Sequence, residues 1–499
     1  MPVVAESLAF HGLLSRAGVL AANDCRIVQG RLCMGSAAQA HPLLRLMDGA
    51  RLGGGLLLRA RLLDRLLGLE SAERDSCTVL QRLTHELERE PLSEWGDDDL
   101  RALLRLQPRS GFREELIAAP PAGLLAQLCA PALFTRLAGM VSRWAGEPAE
   151  TTGALTSGMH GMVDVECASA LWDLADEARR IPKLLQLLSE PPPRMARLER
   201  LSKAHAFHSG LKAVLNRFGH RGQGESELMR PRWREDPEAL LCVIASYLQL
   251  PPESSPHVAE WRQHWEREAA LARVRRTLRL RPLRRLAFEQ TLRIAQRSIL
   301  AAPNVQFEAA GLYARLRGAA LELGARLARS GGLERSEDVF FLSLDELEQD
   351  AAPPRERVAE RRAQHARDTE AGPAQAADAD PQPLELRGIP ASPGLARGRV
   401  FILRDSLAGG GLPPGAVLVV PHADPAWTPL FAVAAALVVE NGGPASPALM
   451  ITRELGIPTV VDVVGATGRL HPAETVEVDG STGTVSRLEG LGAGSGEAA

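Results

Sequence analysis

The sequence predicts a multidomain α plus α/β protein, in which a large, mainly helical region precedes a small α/β domain. Two observations carry this. Leucines recur at three- and four-residue steps through LLLRARLLDRLLGLE (56–70), ALWDLADEARRIPKLLQLL (170–188) and AGLYARLRGAALELGARLARS (310–330), the spacing of one helix face. After residue 384 the pattern becomes short β-branched runs, GRVFIL, AVLVV, AALVV, TVVDV and TVEVD, split by Gly/Pro turns, with helical patterns at PLFAVAA and SPALMITREL between them.

The elements divide the chain into four stretches. Residues 1–350 form the helical domain. Residues 351–383 open as a charged helix and end in Ala, Pro, Asp and Gln without apolar periodicity, which reads as a linker. Residues 384–487 form the α/β domain, and the small, polar residues 488–499 are expected to be a disordered tail.

Composition bounds the function. The 499 residues carry a formal net charge of −3, so the chain as a whole does not advertise a nucleic-acid partner. No uninterrupted apolar run is long enough to span a bilayer, and MPVVAESLAFHGLL lacks the basic start and apolar core of a secretory signal. A cytoplasmic protein with no membrane partner is therefore expected. The six cysteines form neither a C-x-x-C pair nor a Cys/His cluster with zinc spacing, so reduced, mostly buried thiols are expected and no metal. No cofactor is expected either.

Four ordered stretches of the α/β domain resemble the phosphohistidine swivelling domain of phosphoenolpyruvate-utilising enzymes. These are GIPASPGLARGRV (388–400), DPAWTPLF (424–431), ENGGPASPALMITRELGIPTVV (440–461) and VDGSTGTV (478–485). In the helical region, VDVECASALWDLAD (163–176), FGHRGQGESELMRPRWREDP (218–237) and DVFFLSLDEL (338–347) resemble the substrate-binding domain of the rifampicin phosphotransferase group. The resemblance implies a swivelling histidine, phosphorylated by an ATP-grasp domain. No counterpart of that domain is expected in these residues: RLGGGLLLRA has glycines, but no Lys-Ser/Thr follows. The family loop reads Gly-Gly-x-x-Ser-His before a helix, whereas this chain reads Gly442, Gly443, Pro444, Ala445, Ser446, Pro447. Proline has no ring nitrogen free to carry a phosphoryl group. It does suit the first turn of a helix. The loop thus keeps its shape and loses its chemistry; neither Ser446 nor His422, which follows a strand, sits as the lost nucleophile did.

Chemistry is then expected in the helical region. His220, Arg221, Glu225 and Glu227 lie within eight residues among Gly219, Gly222 and Gly224, which rule out a regular helix and let polar groups converge. A histidine beside carboxylates can serve as general acid or base, and Arg221, Arg230 and Arg232 can bind a carboxylate or phosphate. A buried polar network locking the loop is the structural alternative. A second group is Met159, His160, Asp164 and Glu166. There His160 is expected on a turn, and the alternative is a loop that caps the following helix. The resemblance places Glu166 on a carboxylate of the family pattern and makes Asp164 a departure from a small hydroxyl residue. His205 and His208 share a helix face but lack a third ligand. The arginine run LARVRRTLRLRPLRRL (271–286) reads as a solvated face or as a dock for an anionic substrate or carrier protein.

The expected function is that of a repurposed, ATP-independent enzyme. It would perform dehydration, elimination, isomerisation or cyclisation on a hydrophobic, oxygenated, polyketide-like small molecule in natural-product biosynthesis, with a carrier protein or another pathway enzyme as a further partner. A non-catalytic binding protein is the alternative; a subunit of a split phosphotransferase is opposed by Pro447.

Overall fold

The structure is a computed structural model that describes residues 25–28, 31–34 and 66–488, apart from 120–121, 149, 191–192, 202–203, 349–354, 372–384, 404–411, 443–446 and 473. Strands β1 (Cys25–Val28) and β2 (Arg31–Met34) pair antiparallel. The rest is mainly helical, with a mixed sheet near the C-terminus. The chain divides into two compact units. One comprises 1–132, 219–235 and 297–374; the other comprises 133–218, 236–296 and 375–499.

In the first unit, helices Leu69–Glu88, Asp97–Leu104 and Phe112–Ala118 place Leu83, Leu87, Leu100, Leu103 and Phe112 in one core. The later turns of helix Pro282–Arg329 add Leu316, Ala320 and Leu323 to it. The charged helix expected to open the 351–383 stretch is Arg355–Ala371. Its Val358 is buried in the same core, and Arg361 holds Glu346 at 2.6 and 2.9 Å. Those hydrogen bonds push the Glu346 carboxyl down to about 2.

The second unit holds helices Val163–Arg179, His205–Phe218, Glu238–Tyr247 and Pro256–Thr277 together with the α/β elements, whose own core is built from residues such as Val417, Val438, Val460 and Val478. The strands are β3 (Glu385–Arg387), β4 (Ile389–Ser392), β5 (Leu395–Ile402), β6 (Val417–His422), β7 (Ala436–Asn441), β8 (Thr459–Val461), β9 (Thr475–Asp479) and β10 (Thr484–Arg487). Their order is β3-β10-β9-β5-β6-β7-β8-β4, with β5 to β8 parallel and the other pairs antiparallel. The central strands β6 and β7 open as near-continuous Val and Leu, as strands buried on both faces must be, whereas β5 alternates exposed and half-buried residues.

The two end strands of this order, β3 and β4, are separated by Gly388 alone. Laid flat, eight strands would hold the ends roughly 33 Å apart, at about 4.8 Å per neighbour. Two residue steps reach at most about 7 Å. The strand order therefore bends round until its two end strands meet end to end. Gly388 forms the seam: its N–H donates to the Gly483 carbonyl at 2.9 Å, and a Cβ there would lie 2.4 Å from the Val461 carbonyl oxygen.

Buried polar contacts fasten the α/β elements to the helices of the same unit. The Tyr247 hydroxyl donates to the Pro429 carbonyl at 2.7 Å, and the Leu412 N–H donates to Ser246 Oγ at 3.0 Å. Arg453 donates to the Ala391 carbonyl and lies over the Phe134 ring, 4.8 Å from its centroid.

Candidate functional site

The glycine-rich loop 219–235 is irregular, as its composition requires. It is closed by backbone bonds from Trp233 N to Arg221 O (2.8 Å) and from Arg234 N to Gly219 O (2.9 Å). Arg221 and Glu225 are 2% and 3% exposed and meet at 2.6 Å through Nε and Oε1. The guanidinium also lies 5.8 Å from the centroids of both Trp233 and Phe307, so a cation in a dry site is held by one carboxylate and two rings.

His220 behaves differently from the expectation that a carboxylate orients it. Its Nε2 bonds to the Phe307 carbonyl at 3.1 Å, while Glu225 is taken by Arg221. A carbonyl only accepts, so Nε2 carries the proton and Nδ1 keeps its lone pair. Burial, assisted by the Arg221 charge, pushes the imidazole down to about 4. The ring is neutral at physiological pH.

Around this centre, Arg232 is 2% exposed and donates from Nη2 to the Glu227 carbonyl at 3.2 Å. Burial lowers its pKa. Glu227 accepts from Met229 N at 3.1 Å, and Arg230 is half-buried. Sequence reasoning missed Arg317, which stitches the loop down. It clasps both Glu235 oxygens, donates to the Leu228 and Met229 carbonyls, and lies over Phe340. The only signal was an arginine on the otherwise apolar face of a long helix.

The second group lies in the other unit. His160 is on a turn, as expected, but its side chain is 74% exposed and paired with Glu260 at 2.8 Å. Asp164 is buried in the first turn of its helix and accepts from Thr428 Oγ1 at 3.5 Å. Glu166 is exposed and pairs with Arg217. The Met159 side chain is buried, and its N–H donates at 3.0 Å to the carboxylate of Glu454, a residue the sequence reading passed over. Glu454 is 1% exposed, and burial pushes its carboxyl up to about 8.

The altered loop follows β7. Residues 443–446, Ser446 among them, lie outside the described residues; helix Pro447–Leu455 begins at the proline. His422 ends β6 with its ring 5.5 Å from that of Trp427.

Residues 122–301 match the rifampicin phosphotransferase fourth domain, and residues 412–483 match the mobile domain of PEP-utilising enzymes. The chain belongs to the rifampicin phosphotransferase/PEP-utilising-like family. An uncharacterized protein of Mycobacterium tuberculosis is 33% identical to this family member over 66% of the chain and 37% of its own length. The rifampicin phosphotransferase of Streptomyces sviceus is 28% identical over 70% of the chain and 42% of its own length. The prodigiosin synthesizing transferase PigC of Serratia marcescens is 30% identical over 66% and 39%. The chain thus spans less than half the length of these relatives. No described helix is long and apolar enough to cross a membrane.

Proposed function

We propose that this family member is an ATP-independent enzyme of natural-product biosynthesis that performs acid/base chemistry on a hydrophobic, oxygenated small molecule. The observation that carries the reading is Pro447, which takes the first helical position where the family loop supplies its histidine. Without that nitrogen there is no acceptor at this position, whatever supplies the phosphate. Names such as rifampicin phosphotransferase and prodigiosin synthesizing transferase support a small-molecule substrate in secondary metabolism. A carrier protein or pathway enzyme is the further partner.

The role of base falls to His220, whose tautomer is fixed by the Phe307 carbonyl and whose Nδ1 can accept a proton. The imidazole, pushed down to about 4, is unprotonated at neutral pH and free to accept, as a weak base that calls for a substrate proton already acidified, as next to a carbonyl. The Arg221–Glu225 pair keeps the loop in shape and sets the local field. The second reading, a non-catalytic binding protein, draws on the burial of Arg221 and Glu225 against each other.

The test has two parts. Incubation with radiolabelled ATP or phosphoenolpyruvate gives no phosphoprotein; a stable label on the chain defeats the proposal. Against a panel of oxygenated polyketide-like compounds, followed by mass spectrometry, His220→Gln abolishes turnover and leaves ligand affinity within about threefold. Binding without turnover by the unaltered chain establishes the second reading instead.

A further inference from the structure

Helices Pro256–Thr277 and Pro282–Arg329 are joined by a short turn, and Arg275 before it and Arg285 after it both bond to Glu289, at 3.0 and 3.1 Å. At this turn Leu280 and Leu283 are 83% and 82% exposed and Leu286 is 57% exposed. Leu283 and Leu286 are three residues apart at the start of the second helix, and Leu280 lies in the turn just before it, so three bare leucines fall within seven residues. A single bare leucine is ordinary on a protein surface, whereas several grouped together mark a contact surface.

The charge around these leucines is also unusual. Residues 271–289 hold seven arginines and one glutamate, in a chain whose net charge is −3. Arg273 pairs with Glu147, and Arg275 and Arg285 share Glu289. Arg276, Arg279, Arg281 and Arg284 are exposed and have no carboxylate partner among the described residues; Arg284 lies over the Trp144 ring at 5.7 Å. A solvated helix face explains the arginines and leaves the leucines unexplained.

We propose that this turn docks on an anionic lipid surface, the leucines entering the headgroup boundary and the four arginines meeting lipid phosphates. Charge complementarity selects an anionic partner. The near-complete exposure of Leu280 and Leu283, beside unpaired arginines, suits entry into a fluid headgroup boundary that needs no matching groove. Arginine stems cover apolar surface while their heads stay at the phosphates. Such contact is separate from spanning, and it revises the expectation, drawn from the absence of a span, that no membrane is involved.

Co-sedimentation with phosphatidylcholine vesicles, with and without about 30% phosphatidylglycerol, tests this. The chain sediments with the anionic vesicles only, and raising the salt releases it. Leu280→Ser with Leu283→Ser, and separately Arg279→Gln with Arg281→Gln, each lower the partition coefficient about tenfold or more. These residues are exposed, so unchanged circular dichroism is expected and separates the effect from misfolding. Equal binding to neutral vesicles, or full binding by the leucine variant, overturns the proposal. So does self-association that the leucine variant abolishes without any vesicle binding, or capture by soluble polyglutamate in preference to vesicles.

Discussion

Replacing Glu454 by Gln changes the pH dependence of stability in a calculable way. The carboxyl is 1% exposed, and it is faced by the Met159 N–H and by Arg267 and Glu260 of helix Pro256–Thr277. Burial raises it from 4.5 in the free chain to about 8 in the fold. The folded state therefore holds a proton that the unfolded state has released across the interval between those values. Its contribution to stability is fully present below about pH 4.5 and is lost as pH rises toward 8. At about 1.4 kcal/mol per pH unit of differential protonation, the wild type loses roughly 2–3 kcal/mol from this group alone between pH 5 and pH 7, and about 1 more by pH 9. Gln keeps the acceptor for Met159 and has nothing to titrate. Urea denaturation of both proteins at pH 5, 7 and 9 isolates the group, because other titrations cancel in the difference. The variant gains on the wild type by about 2–3 kcal/mol from pH 5 to 7, and hydrogen exchange at Met159 slows in parallel at the higher pH. A difference that stays constant across the three pH values refutes the reasoning.

Two further predictions concern packing and charge. Gly158→Ala places a Cβ 2.3 Å from the His264 backbone nitrogen at a φ of +66°, so it destabilises the second unit by at least about 2 kcal/mol in chemical denaturation and speeds exchange at Met159. Arg221→Met strands the buried Glu225 carboxylate and costs about 3–5 kcal/mol, whereas the double change Arg221→Met with Glu225→Leu costs less than the single one.

The parts of the fold that could be read in the sequence are those whose pattern is set by burial on a regular period. The Val runs of β6, β7 and β9 fall where the β-branched stretches do, and the helix at 447–455 starts at its proline. β3 and β4 escaped notice because they are three and four residues long and read LELRGIPAS, with a proline inside a strand. Within the candidate site, glycine spacing located the loop, but not which partner each side chain would choose. His220 turned to a backbone carbonyl of residue 307, and Arg317 arrived from a helix nearly a hundred residues away. Glu454 sat on a helix face that composition alone marked as ordinary, so nothing pointed to its burial.

The seam at Gly388 has a consequence for how the α/β elements meet other chains. β3 pairs with β10 and β4 pairs with β8, so the short segment 385–392 lines both ends of the strand order, running end to end through Gly388. The three residues Glu385–Arg387 cover β10: a chain trimmed to begin at Ile389 would bare the N–H and C=O groups of Thr484–Ser486 and offer them to a passing strand.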